Sequence, residues 1–187
     1  MTDVVAIFTG KDLNWMESEG GSGYWLAKTD RVKSSDYAIF IRNHRENWAV
    51  KDDGMEHGQA FMIGKISGCI KTNKYKGRKV IQLSEVALLP NDANFQKAWF
   101  KLTGGQRYPV AYLESNDLTE KLALDFSTLE WQTFNANTNA EKDKVESTNE
   151  SINAESNDLA SIIQDAKEMI SDAAGISIDK VTIQISF

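Results

Sequence analysis

The sequence predicts an α+β protein: a small, curved, partly closed β-barrel with short helices, followed by a C-terminal helix–strand appendage. Three observations predict it. Short β-branched and aromatic runs recur through residues 1–134, separated by Gly-rich or charged turns. Helical periodicity is scarce in that body. The composition then turns polar and acidic at 135–157, before one amphipathic stripe begins near Asp158.

The strands come in order. Residues 4–8 and 24–27 are β-rich and bounded by Gly and charge. Residues 37–41 form an apolar run too short for a stable helix and read as a buried strand. Residues 60–70 are a longer strand whose Gly64 and Gly68 permit a bulge or bend. Residues 79–89 follow a Lys/Gly-rich turn, which predicts a hairpin, and 108–112 is a further strand with Pro109 near its start. Phe95, Ala98, Trp99 and Leu102 stand at helical spacing, with Gly104–Gly105 as the stop. Asn116 or Asp117 is placed to cap a short helix through Leu124.

Residues 135–157 contain no aromatic side chain and only Val145 and Ile152 as large apolar ones, so they read as a tether. Leu159, Ile162, Ile163, Ala166, Met169, Ile170 and Ala173 then predict an amphipathic helix ending at Gly175. Residues 181–187 alternate as a one-faced strand. A lone helix and strand make a poor core, so this 158–187 tail is expected to pack on the body, on itself or on another copy of the chain.

The length of 187 residues suits one medium domain with an appendage. No apolar run approaches the roughly 18–20 residues of a membrane span. The first eight residues lack a basic region before their apolar stretch and read as a strand, not a signal peptide. The single cysteine, Cys69, has no internal disulfide partner, and a cytoplasmic location is expected.

The net charge of −6 is unevenly distributed. Residues 1–134 hold 17 Lys/Arg and 17 Asp/Glu, whereas 135–187 hold 4 basic and 10 acidic residues. Within the neutral body, residues 28–79 carry 12 basic and 6 acidic side chains, a local charge of 12 − 6 = +6. An anionic ligand meets that local field, not the whole-chain average.

Two segments there carry the chemistry. Arg42, Asn43, His44 and Arg45 form a dense donor set before Trp48: guanidinium pairs with phosphate, Asn reads base edges and Trp offers a stacking face. The competing reading is a strand end with Trp48 in the core. The turn 71–79, with Lys74, Tyr75, Lys76 and Arg78, holds five cations around one tyrosine, which suits a phosphate backbone with a stacked base. The competing reading is a soluble turn whose lysines protect a sheet edge. His44, His57, Cys69 and the Asp52, Asp53, Glu56 group show no metal-ligand spacing, and no catalytic motif, metal site or cofactor is predicted.

The stretch 40–48, the strand Gly58-Gln59-Ala60-Phe61-Met62-Ile63-Gly64-Lys65-Ile66-Ser67-Gly68 and Arg107-Tyr108-Pro109-Val110-Ala111-Tyr112 resemble an uncharacterised bacterial family, which implies no activity. Its tail pattern is matched by Ala166-Lys167 and residues 175–185. Trp25-Leu26-Ala27-Lys28-Thr29 and the Arg42-Asn43 pair are also similar to PUA-like and EVE domains. Asp30-Arg31 departs from the Glu-Pro that follows in EVE domains. That resemblance implies a curved barrel that recognises RNA or modified DNA bases, with Trp25 as the aromatic wall of a pocket for a flipped base.

The expected function is therefore a non-catalytic nucleic-acid reader, of DNA or RNA, through Trp25, Lys28, Arg42, Asn43, His44, Arg45, Trp48, Lys74, Tyr75, Lys76 and Arg78. The alternative is a protein-interaction adaptor or inhibitor linked to a defence or mobile element. It would dock or self-associate through the 158–187 tail, and neither reading involves a membrane.

Overall fold

A computed structural model describes residues 3–136, Lys167 and residues 180–183. The chain divides into two compact units, Met1–Lys142 and Asp143–Phe187. The linker, helix and strand expected over 135–187 lie outside the described residues, apart from residues 135–136, Lys167 and 180–183.

The first unit is an α+β fold around one curled sheet. Its elements are β1 (Asp3–Thr9), α1 (Leu13–Ser18), β2 (Ser22–Trp25), α2 (Thr29–Lys33), β3 (Tyr37–Arg42), β4 (Ala60–Lys71), β5 (Lys79–Leu88), α3 (Ala98–Thr103), β6 (Val110–Glu114), α4 (Ser115–Leu122) and β7 (Gln132–Thr133). The strand order is β2-β5-β4-β3-β1-β6, with β7 added against β5. β1 runs parallel to β3, Val4 opposite Tyr37 through Thr9 opposite Arg42, and every other pairing is antiparallel.

The central strands read as continuous apolar runs because both their faces are covered. Along β1, Val4, Ala6 and Phe8 enter one core cluster while Val5 and Ile7 enter the other. β3 does the same, with Ile39 and Ile41 on one side and Ala38 and Phe40 on the other. The first cluster is closed by Ala98, Trp99 and Leu102 of α3 and by Leu118 and Leu122 of α4. The second is closed by Met16 of α1, Val32 of α2, and Trp25, Ala27 and Phe134.

The curl has a local cause in β4. Its register against β5 shifts between Lys65 and Ile66 and again between Ile66 and Gly68, and such bulges bend and twist a strand. Gly64 sits just before them, where a Cβ would lie 3.0 Å from Leu83 Cδ2. The bend expected in this strand is present, and its glycine is a close approach of one strand's backbone to the next strand's side chain.

Three elements go beyond the expectation. α1 and α2 were absent from the reading of the sequence because each buries one apolar residue, Met16 or Val32, and so shows no periodic stripe. β7 is only two residues long. The expected helix at 95–102 begins instead at Ala98, since residues 91–97 are turns, with Lys97 left-handed at φ 53°.

Candidate functional site

A cluster of rings and charges is built on the turn that follows the C-terminal end of β1. After Thr9 the chain turns through Gly10 and Lys11, and Asp12 caps α1 by accepting the Trp15 N–H at 2.8 Å. One helical turn separates Trp15 from Glu19, so the two share a face, and the Trp15 indole N–H donates to Glu19 Oε1 at 3.2 Å. Lys11 Nζ donates to Glu19 Oε2 and forms an ion pair with it. The side chains of Lys11 and Glu19 are 8% and 12% exposed. Burial holds the Lys11 ammonium below the ordinary lysine value, with the Glu19 hydrogen bond and charge opposing that shift.

β2 and the β4–β5 loop contribute Tyr24, Lys74 and Tyr75 to the same cluster. The Lys11 ammonium lies 4.8 Å from the Tyr24 ring centroid and 5.5 Å from that of Trp15. The Tyr75 ring meets Tyr24 edge to face at 4.8 Å. Lys74 Nζ stands 5.1 Å from the Tyr24 ring and 5.6 Å from the Tyr75 ring. Arg78 Nη1 donates to the Tyr24 carbonyl at 3.1 Å, which fastens the basic loop to β2. The loop also closes on itself, Thr72 N–H donating to Arg78 O and Arg78 N–H to Tyr75 O. Trp48 packs edge-on to Trp15 at 5.6 Å and keeps half of its surface exposed.

The residues expected to bind from the sequence separate into three groups. Lys74, Tyr75 and Arg78 join the cluster directly, and Trp48 joins it through Trp15. Lys76 and Arg45 are exposed. Asn43 and His44 are half-buried at the end of β3: Asn43 accepts the Arg45 N–H at 3.0 Å, and the His44 N–H donates to His57 Nδ1 at 3.1 Å. Lys28 is exposed, and its N–H donates to the Tyr112 hydroxyl at 2.8 Å.

Two residues lie differently from the expected placement. Arg42 is 1% exposed, its Nη1 donating to Lys11 O at 3.0 Å, its Nη2 paired with Asp53, and its guanidinium 4.2 Å from the Phe61 ring. Its two terminal nitrogens are spent inside the fold, where they tie the end of β3 to the Lys11 turn and the 50s loop, while its buried Nε has no hydrogen-bond partner. Trp25 is likewise a core residue, 9% exposed, with its indole N–H on Ser22 Oγ at 3.0 Å. Its neighbour Tyr24 is the aromatic that reaches the cluster.

Lys11, Trp15, Glu19 and Tyr24 were not singled out from the sequence. The available signal was the Asp12 cap followed by Trp15 and Glu19 at i, i+4 spacing. A separate depression of about 450 Å³, lined by Leu88, Leu89, Phe95, Leu124 and Leu129 among others, shares no residue with this cluster. Among the described residues no group of three or more His, Cys, Asp or Glu is placed to hold a metal ion, and no helix is long and apolar enough to cross a membrane.

The chain matches no protein-family model, no curated protein and no solved structure.

Proposed function

We propose that this chain is a non-catalytic nucleic-acid-binding protein that stacks an unpaired base on the exposed face of the Tyr24–Tyr75 pair. The observation that carries the reading is the Tyr24–Tyr75 pair set between two ammonium groups, Lys11 and Lys74. A base has a π-face for the rings, and its phosphates meet the cations of the 71–79 loop. Tyr75 and Trp48 keep about half their surface open to solvent, leaving aromatic area for a ligand to cover. The curled sheet fits a partly closed barrel, and a PUA-like fold with recognition of a modified or flipped base belongs to the same proposal. Trp25 and Arg42 act in it as supports, with Lys74, Tyr75, Lys76, Arg78 and Trp48 as the contacting set.

The experiment is an anisotropy titration of labelled single- and double-stranded RNA and DNA at several salt concentrations. Single strands are expected to bind more tightly than duplexes. The log of their association constant should fall linearly with log salt, with a slope near −0.7 per phosphate contacted. Absence of binding to all four at low ionic strength refutes the proposal.

A further inference from the structure

The depression of about 450 Å³ opens where a ladder ends. β7 pairs with β5 at Glu85 opposite Thr133 and Val86 opposite Gln132. Beyond that point Leu88 and Leu89 on one side, and Leu129 and Glu130 on the other, line the depression instead of pairing. The Leu89 N–H donates to Phe61 O of β4 at 2.9 Å. By the alternation of an antiparallel ladder, the Leu88 N–H and C=O point away from β4. Among the described residues no strand stands opposite them, because β7 is limited to Gln132–Thr133. The floor is apolar, with buried Leu89, Phe95 and Leu124, and Leu88 is 60% exposed at its edge. The charged residues of the lining are Asp92, Asp125 and Glu130, all acidic. No ion pair among the described residues neutralises any of the three. Asp92 and Asp125 also close turns, accepting the Asn94 and Ser127 N–H groups at 2.7 and 2.9 Å. Asparagine fills that role equally well, so turn closure does not account for the charge. Lys101 comes near the rim, held by the Ala93 and Asn94 carbonyls at 3.2 and 2.7 Å.

We infer that this depression docks a basic, extended peptide segment of a protein partner, added as a strand against the Leu88 edge of β5. Strand addition takes its affinity from main-chain hydrogen bonds to an open sheet edge and its specificity from pockets for alternate side chains. Both are present: the Leu88 N–H and C=O supply the edge, and the floor over Phe95 and Leu124 receives an apolar side chain. Successive residues of a strand point to opposite faces, so an apolar residue entering the floor is flanked by residues free to reach the rim. The three carboxylates fix the sign of those residues as lysine or arginine. An acidic segment, such as residues 135–187 with 4 basic and 10 acidic side chains, does not complement this rim, and neither does a phosphate backbone. The site is thus separate from the proposed nucleic-acid surface and opposite to it in charge, and it shares no residue with the Tyr24–Tyr75 cluster.

The test titrates the full, nitrogen-15-labelled chain with a capped peptide that alternates lysine and valine over about seven residues, a common strand length. Backbone amide shifts are recorded. The lysine peptide should move amides in 88–95 and 123–130, and its binding should weaken as salt is raised, since exposed charges are screened. The same peptide with glutamate in place of lysine should bind about tenfold more weakly or not at all. Asp125→Asn with Glu130→Gln keeps the acceptor for Ser127 and removes two charges, and should weaken the lysine peptide about threefold to tenfold. Leu88→Gln alters an exposed side chain and should weaken binding with the melting temperature unchanged. Of two peptide versions N-methylated on alternate residues, the one whose amides face β5 should lose binding. Equal affinity of those two versions overturns strand addition. Equal binding of the lysine and glutamate peptides, unchanged affinity in the double variant, shifts confined to other segments, or no shift at millimolar peptide overturns the site. If the 88–95 amides of the peptide-free chain move with protein concentration, the occupant is a second copy and the basic-peptide assignment falls. None of these outcomes alters the single-strand titration, so the two readings fail independently.

Discussion

Tyr24 at the end of β2 and Tyr75 in the β4–β5 loop meet edge to face with their ring centres 4.8 Å apart. The contact couples a sheet edge to the basic loop, and the Arg78 bond to the Tyr24 carbonyl anchors the same join. An aromatic pair of this geometry is worth about 0.5–1.5 kcal/mol beyond its buried area. That is enough to order the loop and little enough for a stacked base to compete with.

Removing the exposed ring should therefore weaken binding more than folding. Tyr75→Ala is expected to cost about 1–3 kcal/mol of single-strand affinity, the usual value of one stacked base. Its melting temperature should fall only slightly, since Tyr75 is 47% exposed. Tyr75→Phe, which keeps the ring, should bind like the parent chain. A titration in which all three proteins bind equally removes Tyr75 from the interface.

Arg42 gives the opposite pattern. Its side chain is 2% exposed and paired with Asp53, so Arg42→Ala leaves a carboxylate facing an empty, largely buried space. Breaking a buried pair in this way costs about 3–5 kcal/mol, and chemical denaturation measures it directly. Arg42→Met with Asp53→Asn restores volume and removes the orphan charge, and should recover most of the loss. If Arg42→Ala is as stable as the parent chain, the tie between β3, the Lys11 turn and Asp53 is not what holds this end of the sheet.

The contrast between these residues explains what the sequence made legible. Strands such as 37–42 and 60–71 announce themselves, because continuous apolar runs with glycine at the bend have few alternatives. The loop 71–79 and Trp48 stood out because density of charge and aromatics is visible in one dimension. Arg42 and Arg45 looked alike on paper. Only the β3–β4 register, which places Arg42 beside Gln59 and over Phe61, decides that one is buried and the other exposed. The Lys11–Glu19 pair was hidden for the same reason: two charges eight positions apart become partners only after a six-residue helix, itself without a periodic stripe, turns the chain back.

Gly10 tests how tightly the Trp48 turn is held against β1. A Cβ at this position would lie 2.6 Å from Ala49 Cβ and 2.9 Å from the Trp48 ring, closer than real contacts allow. Val50 N–H also donates to Gly10 O at 2.9 Å, so the turn has little freedom to retreat. Gly10→Ala should cost about 1–3 kcal/mol, as overpacking does, and change tryptophan fluorescence by displacing Trp48 from Trp15. An unchanged spectrum together with unchanged stability would show that the turn yields freely.

The last prediction concerns pH and His57. Burial first, and then the charges of Arg45 and His44, hold its pKa below the ordinary histidine value of 6.5. The unfolded chain therefore binds this proton more readily than the folded one. Stability from this group is fully present above about pH 6.5 and is lost as pH falls through the lower folded value. The structural reason is visible: neutral His57 accepts the His44 N–H on Nδ1 and sets its ring edge-on to Phe8 at 5.2 Å, and a protonated ring has no lone pair left to accept. His57 is exposed, so the effect should be small, with the melting temperature lower at pH 5 than at pH 7. His57→Gln keeps a side-chain acceptor without titrating, and its melting curve should be flatter over that interval. Parallel curves for the two proteins would place the acid sensitivity elsewhere in the chain.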